Sequence, residues 1–113
     1  MTDRLDGIHV LITGAGGGIG AATARRLASE GAQLLLSDLN ADAVRAVADE
    51  LGQSWIQTDV TRAADIQRMV DTAYQRWGRL DVLFNNAGVA WAKPLWDITE
   101  DDWEGLRTLY ARR

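Results

Sequence analysis

The groups best placed for chemistry in this chain are backbone amides, those of Thr13-Gly14-Ala15-Gly16-Gly17-Gly18-Ile19-Gly20. Glycines let a backbone turn sharply and come close to a ligand. The stretch follows Val10-Leu11-Ile12 and opens into Ala21-Ala22-Thr23-Ala24-Arg25-Arg26-Leu27-Ala28, so strand, turn and helix come in that order. At such a junction the unpaired N–H groups and positive dipole end of the helix favour an anion, and phosphate is preferred to a merely flexible turn. The spacing excludes two phosphate motifs. A Walker loop ends in Gly-Lys-Ser/Thr, and this stretch holds no lysine. A G-x-G-x-x-G begun at Gly14 meets Ile19 where its last glycine belongs. What remains is Thr13-Gly14-x-x-x-Gly18-Ile19-Gly20.

Other reactive groups are few. The chain has no cysteine, hence neither disulfides nor thiolate chemistry. His9 is the only histidine and reads as structural, because metal sites normally need three or four ligands, so no metal is expected. Asp101, Asp102 and Glu104 gather at the start of a helix, where negative charge is favourable without any catalysis. Trp91, Trp96 and Trp103 either roof a pocket or cover a sheet; their spacing does not decide. Arg107, Arg112 and Arg113 read as solvated charge.

The elements that must position the glycine turn follow from periodicity. His9 to Thr13 reads as a buried strand, and a helix from Gly18 to about Glu30 stops at Gly31. Gln33 to Asp38 is a second strand, its short length between Gly31 and Asn40 deciding against a helix. Asn40 caps a helix whose Val44, Val47, Ala48 and Leu51 recur at helical spacing, and Gly52 ends it. Ser54 to Val60 alternates as a third strand. Thr61 then caps a helix with the stripe Ile66, Met69, Val70, Ala73 and Trp77, stopped by Gly78. Leu80 to Phe84 is the fourth strand, running into Asn85-Asn86-Ala87-Gly88. A loop with Pro94 leads to a last helix capped by Thr99, through Trp103, Leu106 and Leu109.

Strands alternating with helices imply right-handed crossovers and a doubly wound parallel α/β sheet, Rossmann-like, of about four strands in order 3-2-1-4 with helices on both faces. The glycine turn after the first strand then lies where such folds bind a dinucleotide. The 113 residues suffice for one domain, residues 1–113, burying roughly two-thirds of its unfolded surface. Apolar residues make 47% and charged residues 25%, a globular balance. A net charge of −4 without a basic stripe argues against nucleic acid. No apolar run reaches membrane-spanning length and the polar N-terminus lacks a signal peptide, so a cytoplasmic location is expected.

Taken as a set, Thr13-Gly14-x-x-x-Gly18-Ile19-Gly20, Asp38 ending strand two, Asp59-Val60 ending strand three and Asn85-Asn86-Ala87-Gly88 after strand four resemble the short-chain dehydrogenase/reductase family. The likeness runs from the first strand to Trp103, the N-terminal part of a typical member, and implies a chain that stops early. It implies that Gly14, Ala15, Gly16, Gly18 and Ile19 line the pyrophosphate and adjacent ribose of a nicotinamide dinucleotide. Asp38 would accept the hydroxyls of the adenine ribose. A 2′-phosphate there would meet like charge, with Leu39 next in sequence and no basic residue to compensate, so NAD is expected over NADP. Asp59 would bond the adenine amino group, with Val60 beside the ring. Asn86, Ala87 and Gly88 would border the cofactor ribose, while Asn85 would tie neighbouring strands together.

The family's reaction is hydride transfer between the nicotinamide cofactor and an alcohol or carbonyl, aided by a serine, a Tyr-x-x-x-Lys pair and an asparagine. The single lysine, Lys93, has Val89 four residues before it, so no such pair exists here. Tyr110 stands where the asparagine belongs and has no partner to shift its pKa, so no catalytic residue is assigned. The reading is thus an NAD-binding part that is not catalytic alone. Its rivals are one part of a split enzyme, completed by another chain, and a non-catalytic nucleotide-sensing or scaffold protein. Val82, Leu83 and Phe84 suit a sheet interior, and with no strand expected beside them the fourth-strand edge should be open. Self-association or a complementing chain at that edge, or at the last helix, is expected.

Overall fold

The computed structural model describes residues 4–86 and 93–94. Its first strand, β1 (His9–Thr13), enters the helix α1 (Gly18–Ser29) through the glycine turn. Then follow β2 (Gln33–Asp38), α2 (Ala41–Leu51), β3 (Ser54–Gln57), α3 (Ala63–Trp77), β4 (Val82–Asn85) and a short β5 (Lys93–Pro94). The sheet order is β3-β2-β1-β4-β5, with the first four strands parallel. This is the doubly wound arrangement expected from the alternation of elements.

Strand alternation divides the core between the two faces of the sheet. Val10, Ile12, Leu34 and Leu36 pack with Ala24 of α1 and with Val44, Val47 and Ala48 of α2. Leu11, Leu35 and Leu83 point the other way, onto Met69 and Ala73 of α3. Alanines at the α1 contact let that helix lie close to the sheet. Both faces of β1 and β2 are therefore covered, which is why those strands read as unbroken apolar runs.

Four boundaries depart from the sequence reading. α1 ends one residue earlier than expected, with Glu30 as its C-cap. β3 stops at Gln57, so Asp59 and Val60 lie past its end; the Asp59 N–H donates to Asp65 Oδ2 (2.9 Å) rather than to a strand. Thr61 does not cap α3: the cap position falls to Arg62, and the Thr61 hydroxyl donates to Asp59 Oδ1 at 2.6 Å. β4 begins at Val82, two residues late, and extends through Asn85.

The expected open edge of β4 is corrected more substantially. Lys93 pairs with Leu83 and Pro94 with Val82, antiparallel, so β5 occupies that part of the edge. The few residues between Asn85 and Lys93 are too short for the crossover that a parallel strand needs, whereas an antiparallel return needs only a turn. The expected last helix, Trp91, Trp96, Trp103 and Tyr110 lie outside the described residues. No helix among those described is long and apolar enough to cross a membrane.

Candidate functional site

Parallel strands bring the ends of β1, β2, β3 and β4 to one side of the sheet, and the sequence motifs meet there. Thr13 ends β1 and is buried, paired across the sheet with Ser37 on one side and Asn85 on the other. Its hydroxyl donates to Asn85 Oδ1 (3.0 Å) and accepts the Asn86 N–H (2.9 Å). Asn85 thus ties β4 to β1, as its strand-linking role requires. Asn86 reaches further, its Nδ2 donating to the Gly14 carbonyl at 3.2 Å. One threonine therefore fixes the end of β4 against the start of the glycine turn. Thr13 opens the glycine motif, but the motif alone does not reveal this linkage.

The turn itself needs glycine for two different reasons. Gly14 (φ 65°) and Gly18 (φ 56°) sit in the left-handed region, where a side chain is strained. Gly20 is needed for contact, since a Cβ there would lie 2.1 Å from the Gly14 carbonyl oxygen. The first turn of α1 consequently rests on the backbone of its own approach. Ala15 is fully buried and its N–H donates to the Ser37 carbonyl at 2.9 Å, which anchors the turn to β2. Gly17 is extended at the N-cap and offers no side chain to the first amides of α1. Unpaired amides at such a helix start favour an anion. Beside them Ile19 is 70% exposed.

Asp38 ends β2 next to this turn. Its Oδ2 accepts the Gly16 N–H at 2.8 Å and its Oδ1 the Asn40 N–H at 3.0 Å. Asn40 in turn accepts the Ala43 N–H at 3.0 Å and so caps α2. The carboxylate is held by amides from two separate loops. An ionised carboxylate has about four acceptor positions, so about two remain for a ligand's hydroxyl pair. Leu39, directly after it, is 63% exposed, and its carbonyl accepts from Gln57 Nε2 at 3.0 Å.

Asp59 and Val60 occupy the turn between β3 and α3, on the same side of the sheet. Two hydrogen bonds from Thr61, hydroxyl first and backbone second, hold the Asp59 carboxyl below the usual carboxylate range. Both fall on Oδ1. Of the residues assigned from sequence, the structure joins Gly16 to Asp38 and Gly14 to Asn86, and places Gly18, Ile19, Asp59 and Val60 around the same strand ends. Ala87 and Gly88 lie outside the described residues. Asn40 and Ala43 are the neighbours that sequence reasoning missed. Asn40 was legible only as a helix cap, and Ala43 carries no chemical signal of its own.

The short chain dehydrogenase family matches residues 8–109 of this chain. Sorbitol dehydrogenase of Cereibacter sphaeroides is 42% identical over 105 residues, covering 91% of this chain and 41% of the relative. D-threitol dehydrogenase of Mycolicibacterium smegmatis is 41% identical over 106 residues, covering 89% and 41%. Among solved structures, a 3-ketoacyl-(acyl-carrier-protein) reductase from Brucella melitensis complexed with NADH superposes with a TM-score of 0.74 at 28% identity, over 96% of this chain and 48% of that one. Hydroxysteroid dehydrogenase from Escherichia coli gives a TM-score of 0.72 at 38% identity, over 89% and 43%. The chain thus spans about two-fifths of the length of those two curated relatives.

Proposed function

This chain belongs to the short-chain dehydrogenase family, and from that we propose that it forms the dinucleotide-holding part of an oxidoreductase that uses NAD in preference to NADP. The observation that carries the reading is Asp38, whose carboxylate is pinned by the Gly16 and Asn40 amides beside the uncapped start of α1. That donor set fits an adenosine diphosphate moiety. Amides at the head of α1 suit the pyrophosphate, and the free acceptor positions of Asp38 suit the vicinal hydroxyls of a ribose. Ile19 and Leu39 offer apolar surface on either side, and Asp59 Oδ2 can accept from an exocyclic amine.

A nicotinamide cofactor, when bound, supplies the hydride acceptor or donor for an alcohol or carbonyl substrate. The residues of this chain bind and orient it. Gly14, Gly16, Gly18 and Ile19 would shape the approach to the phosphates, and Asn86 would border the ribose nearer the reacting ring. Thr13 keeps Asn86 in register with the glycine turn. The sequence holds no Tyr-x-x-x-Lys pair for proton transfer, since its one lysine, Lys93, has valine four residues before it.

Calorimetric titration with NAD and NADP tests the proposal. NAD should bind at least about tenfold more tightly, a difference of about 1.4 kcal/mol, because a 2′-phosphate would face the Asp38 charge. Asp38→Ala should narrow the difference by removing that repulsion. Equal affinities for the two dinucleotides in the unmodified protein would overturn the preference.

A further inference from the structure

We propose that Gly16 is a positioning residue for Asp38, and that the missing side chain at residue 16, backed by Ala43, sets the dinucleotide selectivity. This rests on the dinucleotide reading above and deepens it. Gly16 is not among the glycines with positive φ, so its backbone conformation does not call for glycine. The space around it does. A Cβ at residue 16 would lie 2.8 Å from Asp38 Oδ2, 3.2 Å from Asp38 Cγ and 3.0 Å from the Ala43 Cβ. Three segments meet at this point: the glycine turn, the end of β2 and the first turn of α2.

Which of them would yield follows from how each is held. Ala43 belongs to α2, and its N–H is fixed by the Asn40 cap at 3.0 Å. The glycine turn is anchored through Ala15 to the Ser37 carbonyl at 2.9 Å. The Asp38 carboxylate is the end of a short side chain and turns about two torsions. Its orientation rests on two amide hydrogen bonds, from Gly16 at 2.8 Å and Asn40 at 3.0 Å. An added methyl at residue 16 therefore displaces the carboxylate and breaks the Gly16 bond, while the first turn of α2 gives by a few tenths of an ångström at Ala43. The acceptor positions aimed at a ribose diol turn away. Selectivity for the unphosphorylated ribose is then a property of the Gly16–Asp38–Ala43 contact, not of the Asp38 charge alone.

The test has two arms on the full chain. Without any dinucleotide, amide hydrogen exchange of Gly16 is followed by NMR in the parent protein and in Asp38→Ala, with Ala24 inside α1 as internal reference. Exchange at Gly16 should quicken by about tenfold or more in the variant while Ala24 is unchanged. Equal rates would overturn the contact itself. In the second arm, NAD and NADP affinities are measured for the parent, Gly16→Ala, Asp38→Ala and the double variant. Gly16→Ala should reduce the NAD-to-NADP ratio by about tenfold, and should change it by less than about twofold once Asp38 is alanine. Equal effects in both backgrounds would overturn the positioning role even though NAD is preferred. Binding of neither dinucleotide by the parent would instead overturn the function proposed above and the selectivity inference with it, whatever the exchange arm reports.

Discussion

Gly16 and Gly20 lie in one turn, yet a methyl group means something different at each. At Gly16 the nearest neighbour is the mobile end of Asp38, with the Ala43 Cβ behind it at 3.0 Å; at Gly20 it is backbone, the Gly14 carbonyl oxygen at 2.1 Å and its carbon at 2.8 Å. Asn86 Nδ2 closes the third side at 2.9 Å. Backbone cannot rotate out of the way, so α1 would have to lift from the turn. Gly20→Ala is expected to destabilise the protein by about 1–3 kcal/mol or more, read as a fall in thermal midpoint. It should also impair dinucleotide binding, whereas Gly16→Ala, whose nearest clash is with a side-chain end, should lower the midpoint less. A Gly20→Ala midpoint equal to the parent's would count against so close an approach of α1. The glycines and Asp38 were legible in the sequence because the glycines follow β1 and Asp38 ends β2, each at a recognisable turn. The Asp38–Gly16–Ala43 contact was not, since it exists only where two separate β-to-α turns meet in space.

Among the elements, what could be read depended on how local the deciding interaction is. α2 was placed correctly at both ends: Asn40 accepts the Ala43 N–H, and Gly52 takes the left-handed conformation with φ 65°. Both signals are written within a few residues. The start of α3 was misplaced because Thr61 is turned back onto the neighbouring Asp59 carboxylate, to which both its N–H and its hydroxyl donate, and the helix begins one residue later with Arg62 at the cap position. Strand ends were displaced for a related reason. At the start of β4, Asp81 accepts the His9 N–H at 2.8 Å with its side chain, so a carboxylate stands in for a strand neighbour before the ladder proper begins. β5 was missed because a two-residue strand has no periodicity to detect. The cap on α2 also offers a direct test. Asn40→Ala should cost about 1 kcal/mol of stability through the lost cap bond. Chemical denaturation should show a lower midpoint with an unchanged slope, and no change in midpoint would mean that the cap contributes nothing.

Across the whole molecule, carboxylates hold junctions between elements, and this makes acid the natural destabilant. Hydrogen bonding from Arg79, then from the His9 backbone, keeps the Asp81 carboxyl below its ordinary range at the β1–β4 junction. Thr61 does the same for Asp59 between β3 and α3, and Arg25 for Glu50 between α1 and α2. Each group binds its proton less readily folded than unfolded. Its contribution is therefore complete above the unfolded carboxyl pKa, about 4, and disappears as pH falls through the lower folded value. Arg25 and Glu50 are each about half exposed, so water and salt screen that pair, and Asp81, largely covered, should dominate. The thermal midpoint should stay level from neutral pH to about 5 and fall below about 4. Asp81→Asn keeps an oxygen for the His9 N–H but removes the charge facing Arg79. It should lower the midpoint at neutral pH and flatten the acid fall, so that the two proteins converge near pH ~2. An acid slope unaltered by Asp81→Asn would show that the junction between β1 and β4 does not depend on that charge.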